Sequence, residues 1–228
     1  MADAKLRTTE TNIEVAELLQ DAKHRLIATE VRRQVNINSV AARSLEYQPA
    51  EGDDIQCRPP TIDWMAWFMD GCQDVSDEAM QKWWAKMLAG EVKASGSFSR
   101  RAMSVLRDMD SVDGKGFEKM AAFAWSRSVG VSVIPIPEAG HFPLNPSEVF
   151  RLEACDIVKG KYTPTYEAGE TIRAGNETYR FTETMRFTSW LLTPAGSELL
   201  RLAPGRDEEY FRKVYGWLNG SNTLAPLP

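Results

Sequence analysis

The sequence predicts a mainly α protein, a helical bundle with a small C-terminal α+β part. Three observations predict it. From Thr11 to Tyr47 the chain has neither proline nor glycine, so nothing interrupts a long helix there. Between Thr61 and Trp125, successive segments carry aromatic or methionine residues at spacings of three and four, the period of a helix face. After Ser128 the pattern changes to alternating Val and Ile, prolines and β-prone runs, which read as strands and loops.

The elements follow in order. Residues 1–9 are polar and read as disordered; the first helix is expected from Thr11 or Asn12, either of which can cap it. Ile13, Ala16, Leu19 and Leu26 recur at helical spacing, and Val31, Val35, Asn38, Ala42 and Leu45 alternate steps of four and three. Such a heptad-like stripe is expected to pack on its own domain, and it also makes the segment 1–47 a candidate for homo-oligomerisation. Residues 48–60, QPAEGDDIQCRPP, form a linker, because Pro-Pro blocks helix continuation.

Residues 61–127 read as the central bundle. Trp64, Trp67 and Phe68 mark one helical face ending near Gly71. Ser76 is the expected cap of the next helix, with Asp77 and Glu78 in its first turn, where the helix dipole favours acids. Met80, Trp83, Trp84, Met87 and Leu88 form one wide apolar stripe, and Gly90 is the expected C-cap. Ser97 or Ser99 can cap a helix bearing Met103, Leu106 and Met109. Ser111 can cap another, bearing Phe117, Met120, Ala121, Ala124 and Trp125. Short turns between such helices imply a compact bundle.

Residues 128–220 read as α+β. VGVSVIPIPEAGHFPLNP holds a short strand and a proline-rich loop. Residues 147–158 read as a helix, ETIRAGNETYRF as a hairpin, and MRFTSWLL as a strand. Thr193 caps the helix that follows, with Pro194 at its first position. Residues 207–218 are expected to be a final helix, and 221–228 a loose tail.

Composition bounds the function. The chain has 228 residues and a net charge of −5, with a pI near 5.3. That excludes a surface coated in positive charge for non-specific nucleic-acid binding. Cys57, Cys72 and Cys155 are three, widely spaced and without a CxxC; reduced thiols in a cytoplasmic protein are expected. No apolar run reaches membrane length and the N-terminus lacks a signal-peptide core. The histidines, His24 and His141, have no second ligand at metal spacing, so neither a metal site nor a cofactor is expected. GxSxG, P-loop and GxGxxG motifs are absent. Trp64, Phe68, Trp83, Trp84, Met87, Leu88 and Gly90 are therefore read as packing residues. Glu91, at the end of their stripe, is expected to pair with Arg100 or Arg101, since a buried carboxylate needs a partner.

Two features point toward a nucleic-acid or partner surface. Arg100, Arg101 and Arg107 lie on one predicted helix, with Lys115 and Lys119 on the next and Arg173 and Arg180 in the hairpin. In addition, a helix, a hairpin and then WLLTPAGSELLRL resemble the junction of wing and last helix in winged-helix proteins, so the C-terminal part is expected to be winged-helix-like. The helix before the wing carries Glu148, Glu153 and Asp156 against one arginine, a charge that phosphate repels. A protein-binding winged helix is the better fit.

The middle of the chain resembles a bacterial, phage or prophage protein family, a domain of unknown function. The residues carrying the resemblance are Asp63, Trp64 and Phe68; Ser76 to Glu78; Gln81, Trp84, Ala85 and Lys86; Leu88 to Glu91; and Gly96 to Ser99 with Arg101. Asn12 to Glu14 and the late Leu192, Thr193, Gly196, Glu198 and Leu199 match its outer parts. Ser95 stands where the family usually has proline, a loss of loop stiffness. The resemblance implies a phage, prophage or defence-linked setting and no established activity. The expectation is a non-enzymatic interaction protein that binds a bacterial protein or complex in the host cytoplasm, modulating defence or replication. A winged-helix DNA-binding regulator is the alternative, and an enzyme such as a nuclease with an unrecognised site is a further one.

Overall fold

The computed structural model describes residues 2–47 (side chains from residue 14), 59–136, 145–174, 177–203, 209, 212, 216 and 224–226. The chain is mixed α+β, with helices filling its first half and a seven-stranded antiparallel sheet its second. Helix α1 (Ala2–Ser44) runs into a 3-10 turn (Leu45–Tyr47). Residues 2–9, expected to be disordered, are helical, and no proline or glycine stands there to prevent it. At a rise of about 1.5 Å per residue, α1 is about 65 Å long.

Four shorter helices follow: α2 (Ile62–Cys72), α3 (Glu78–Lys93), α4 (Arg100–Asp108) and α5 (Ser111–Ala121). Their caps correct the sequence reading at three places. Asp77, not Ser76, caps α3 by accepting from the Met80 N–H, and Ser76 Oγ instead accepts from Asn36. Asp110, not Ser111, caps α5, in a capping box with Asp113. Gly90 lies inside α3, which ends at Lys93. A side chain at Gly90 would meet the Phe98 ring at 2.8 Å, so the glycine serves close packing rather than termination. Ser99 caps α4 as one of the two expected serines.

Trp125 leaves α5 and opens the sheet in β1 (Trp125–Arg127), followed by β2 (Ser132–Pro135). Helix α6 (Pro146–Ala154) is capped by Asn145 and Glu148, and ends four residues before the predicted Val158. Then come β3 (Val158–Tyr162), β4 (Thr165–Tyr166), β5 (Thr171–Ala174), β6 (Glu177–Phe181), β7 (Met185–Arg186), β8 (Ser189–Leu192), α7 (Pro194–Leu199) with a 3-10 turn (Leu200–Leu202), and β9 (Leu224–Pro226). The large sheet has the order β3-β8-β2-β1-β5-β6-β9, and β4 pairs with β7. The sheet is therefore larger than the small α+β part expected. The predicted tail contributes a strand, β9, on β6. The linker 48–58, Cys57, His141, the hairpin tip 175–176 and most of the expected last helix lie outside the described residues.

One core runs through both halves. Trp84, Met87, Phe117 and Met120 are buried on the helical side, and Trp125, Ile134, Leu152 and Phe181 on the sheet side. Tyr166 stacks on Phe187 at 4.2 Å, and Arg127 lies 4.4 Å over the Tyr166 ring, its guanidinium bonded to the buried Glu170. Helix α1 packs on α3 through Asn36, Val40 and Ser44. The stripe predicted to mediate packing, Val31, Val35 and Leu45, faces away from the body and is exposed. The buried face is polar at Asn36 and Ser44, which a hydrophobicity pattern cannot register.

Candidate functional site

The residues singled out from the sequence converge on one loop, residues 94–99, between α3 and α4. Glu91 is 1% exposed. Its partners are not arginines but backbone amides: Oε1 accepts from Gly96 N–H at 2.6 Å and Oε2 from Phe98 N–H at 3.0 Å. A carboxylate taking two N–H donors is satisfied without a cation. Gly96 has a φ of +89°, the left-handed region where glycine is unstrained. Trp64 Nε1 donates to Phe98 O at 2.9 Å, and Trp64 stacks on Phe68 at 5.1 Å. Phe68 in turn meets Trp84 edge-on at 5.4 Å. Trp83 packs on Phe117 at 5.5 Å, Met87 is fully buried and Leu88 half-buried. Both indoles are packing groups, as expected. Trp84 Nε1 has no acceptor among the described residues.

The late motif closes the same loop from the other half. Thr193 caps α7 and also donates to Asp156 O at 2.7 Å. Gly196 passes so close to Ile157 that a Cβ would sit 2.3 Å from its carbonyl oxygen. That approach seats α7 so that Glu198 Oε2 accepts from Ser99 N–H at 2.7 Å, and Arg201 donates to Ser97 O at 3.0 Å. Residues 64, 91, 198 and 201 thus hold four consecutive residues of one loop.

Beside the loop, a groove of about 850 Å³ lies between α7 and the sheet. Its charged lining is Arg127, Lys159, Arg173, Glu198 and Arg201. Arg127 is spent on Glu170. Lys159 and Arg201 were not anticipated: Lys159 lies in a short strand with no motif around it, and Arg201 lies in the WLLTPAGSELLRL run, whose signal is a helix rather than a charge.

The remaining basic residues do not form one patch with them. Arg100 lies 4.6 Å over the Trp67 ring, Arg107 is 3.9 Å from Asp70, and Lys119 is 2.7 Å from Glu148 on α6. Arg101 is exposed on α4. Lys115 lines a separate cavity of about 230 Å³ beside Trp83. Arg173 and Arg180 do share one face of the β5–β6 hairpin, because Arg173 pairs with Thr178 and Arg180 with Thr171.

Burial pushes the Cys72 thiol up to about 12, and burial with the nearby Asp113 charge pushes Cys155 to about 11. Both stay protonated and unreactive at neutral pH. Among the described residues, no group of three or more His, Cys, Asp or Glu is placed to hold a metal. No described helix is long and apolar enough to cross a membrane.

Fold and site together define an α+β protein whose two halves are joined at a clamped loop. Residues 20–132 match the model of a family described as protein of unknown function (DUF2806), and a domain of that family covers this stretch. No curated protein and no solved structure matches the chain.

Proposed function

We propose that the protein is a non-enzymatic interaction protein of phage or prophage type, which engages a bacterial protein or complex through helix α1. The observation carrying this reading is the state of residues 14–28. Every one of them is exposed, yet Val15, Leu18, Leu19 and Leu26 recur along the helix at 48–67% exposure. An isolated helix owes most of its stability to packing of its apolar face, and a projecting apolar stripe marks an interaction surface. The stripe is collinear with the α1 face that packs on α3. The phage setting and the modulation of defence or replication come from the motif resemblance.

The test is affinity purification of the full chain from a bacterial host, with Leu19→Glu plus Leu26→Glu as the control. One bacterial protein should be retained by the wild type at salt that removes nucleic acid, and lost by the double variant. Sedimentation of the same pair measures self-association through α1. Retention unaffected by the two glutamates would sink the reading.

The alternative is a winged-helix DNA-binding regulator. Arg173 and Arg180 on one hairpin face support it, as does the chain order of α6, hairpin and α7. The engagement of Arg107 and Lys119 with carboxylates counts against it. A regulator would bind duplex DNA with a steep salt dependence, weakened by Arg100→Glu with Arg101→Glu.

A further inference from the structure

We propose that the groove between α7 and the sheet binds an extended acidic peptide with interspersed apolar side chains. The chain as a whole is acidic, at −5. The groove runs against that average. The side chains of Lys159 and Arg173 make no hydrogen bond or ion pair with any described residue, and that of Arg201 has only the neutral Ser97 carbonyl. The lining carboxylate, Glu198, is occupied by the Ser99 amide. Glu198 keeps its charge, but Lys159, Arg173 and Arg201 outnumber it and have no carboxylate partner among the described residues, so the lining carries an excess of positive charge, which favours an anionic ligand.

The length of the groove follows from strand register. Ser132 pairs with Ser126, and Ser126 with Arg173. On the other side, Leu192 pairs with Val158, the residue before Lys159. The groove thus crosses four strand steps from β5 to β3, about 19 Å at the usual 4.8 Å spacing. An extended chain covers that distance in about six residues. Beside its charged residues the lining has Val131, Leu191, Leu192 and Leu200 with Pro194 and small residues, a surface for aliphatic side chains. No described lining residue is aromatic. Single-stranded nucleic acid gains much of its affinity by stacking bases on such rings, so a peptide fits better than an oligonucleotide.

The inference is independent of α1. The test uses the full chain and fluorescence anisotropy with three labelled probes: an octapeptide alternating Glu with Leu, its Gln counterpart, and oligo(dT). The Glu peptide should bind, the Gln peptide should bind about tenfold more weakly, and Arg173→Glu with Lys159→Glu should cost the Glu peptide about tenfold or more. Both residues are exposed, and an unchanged melting temperature checks the fold; Arg173→Gln with Lys159→Gln replaces the pair if it shifts. Absence of Glu-peptide binding, binding indifferent to these substitutions, or tighter binding of oligo(dT) overturns the proposal. Leu19→Glu with Leu26→Glu should leave peptide binding unchanged, which separates this result from the fate of α1.

Discussion

Single residues carry the joint between the halves. Glu91→Gln keeps the shape but offers one acceptor oxygen where two amides point. One N–H of Gly96 or Phe98 would then face the new amide nitrogen. Leaving a buried donor unpaired costs about 1–3 kcal/mol, and urea denaturation should read a loss of that size. Gly71→Ala tests the indole packing. A methyl there would sit 2.4 Å from the Trp84 ring, and overpacking of that kind costs about 1–3 kcal/mol, visible as a lowered thermal midpoint. The burial of Trp64, Trp83 and Trp84 was legible from spacing alone. The partners of Glu91 were not, because a loop's amides leave no residue type to recognise, whereas the nearby arginines do.

Among elements, α1 is held to the body by charge as well as packing. Arg32 and Arg33 both reach Asp74 in the turn after α2, at 2.7 and 3.0 Å. The Arg33 hydrogen bond holds the Asp74 carboxyl below its ordinary range. A depressed carboxylate contributes stability that is present above its unfolded pKa and lost as pH falls through the lower folded value. The protection factors of amides 33–44, corrected for the intrinsic pH dependence of exchange, should therefore fall as the medium is acidified through that window, and Asp74→Asn should remove that fall. In the sheet half, Arg127→Ala would strand the buried Glu170 carboxylate, a loss of about 3–5 kcal/mol by analogy with other broken buried pairs. Helices were the legible elements, since each repeats its apolar residues over many turns. Strands of two to five residues hold too few residues for a period, so β1 was absorbed into α5 and β7 was merged with β8.

For the molecule as a whole, residues 14–28 are all exposed and none joins the core. A chain lacking residues 2–28 should keep its thermal midpoint while losing partner retention, a pairing of outcomes that calorimetry and affinity purification check together. The two-part composition was legible in the change of pattern after Ser128. The extent of the sheet was not, because β9 joins it from the far end of the chain, and pairing between distant segments has no local signature.

The segment matching the known family stops at residue 132, in the first position of β2. Cut there, the piece would carry β1 without β5 or β8 to flank the remaining ladder, and would expose open strand edges that invite aggregation. It would also forfeit the Glu198 carboxylate that caps the Ser99 amide. The family boundary is thus no place to divide this polypeptide: its helical half is not portable, and expression trials should retain the chain through Pro226.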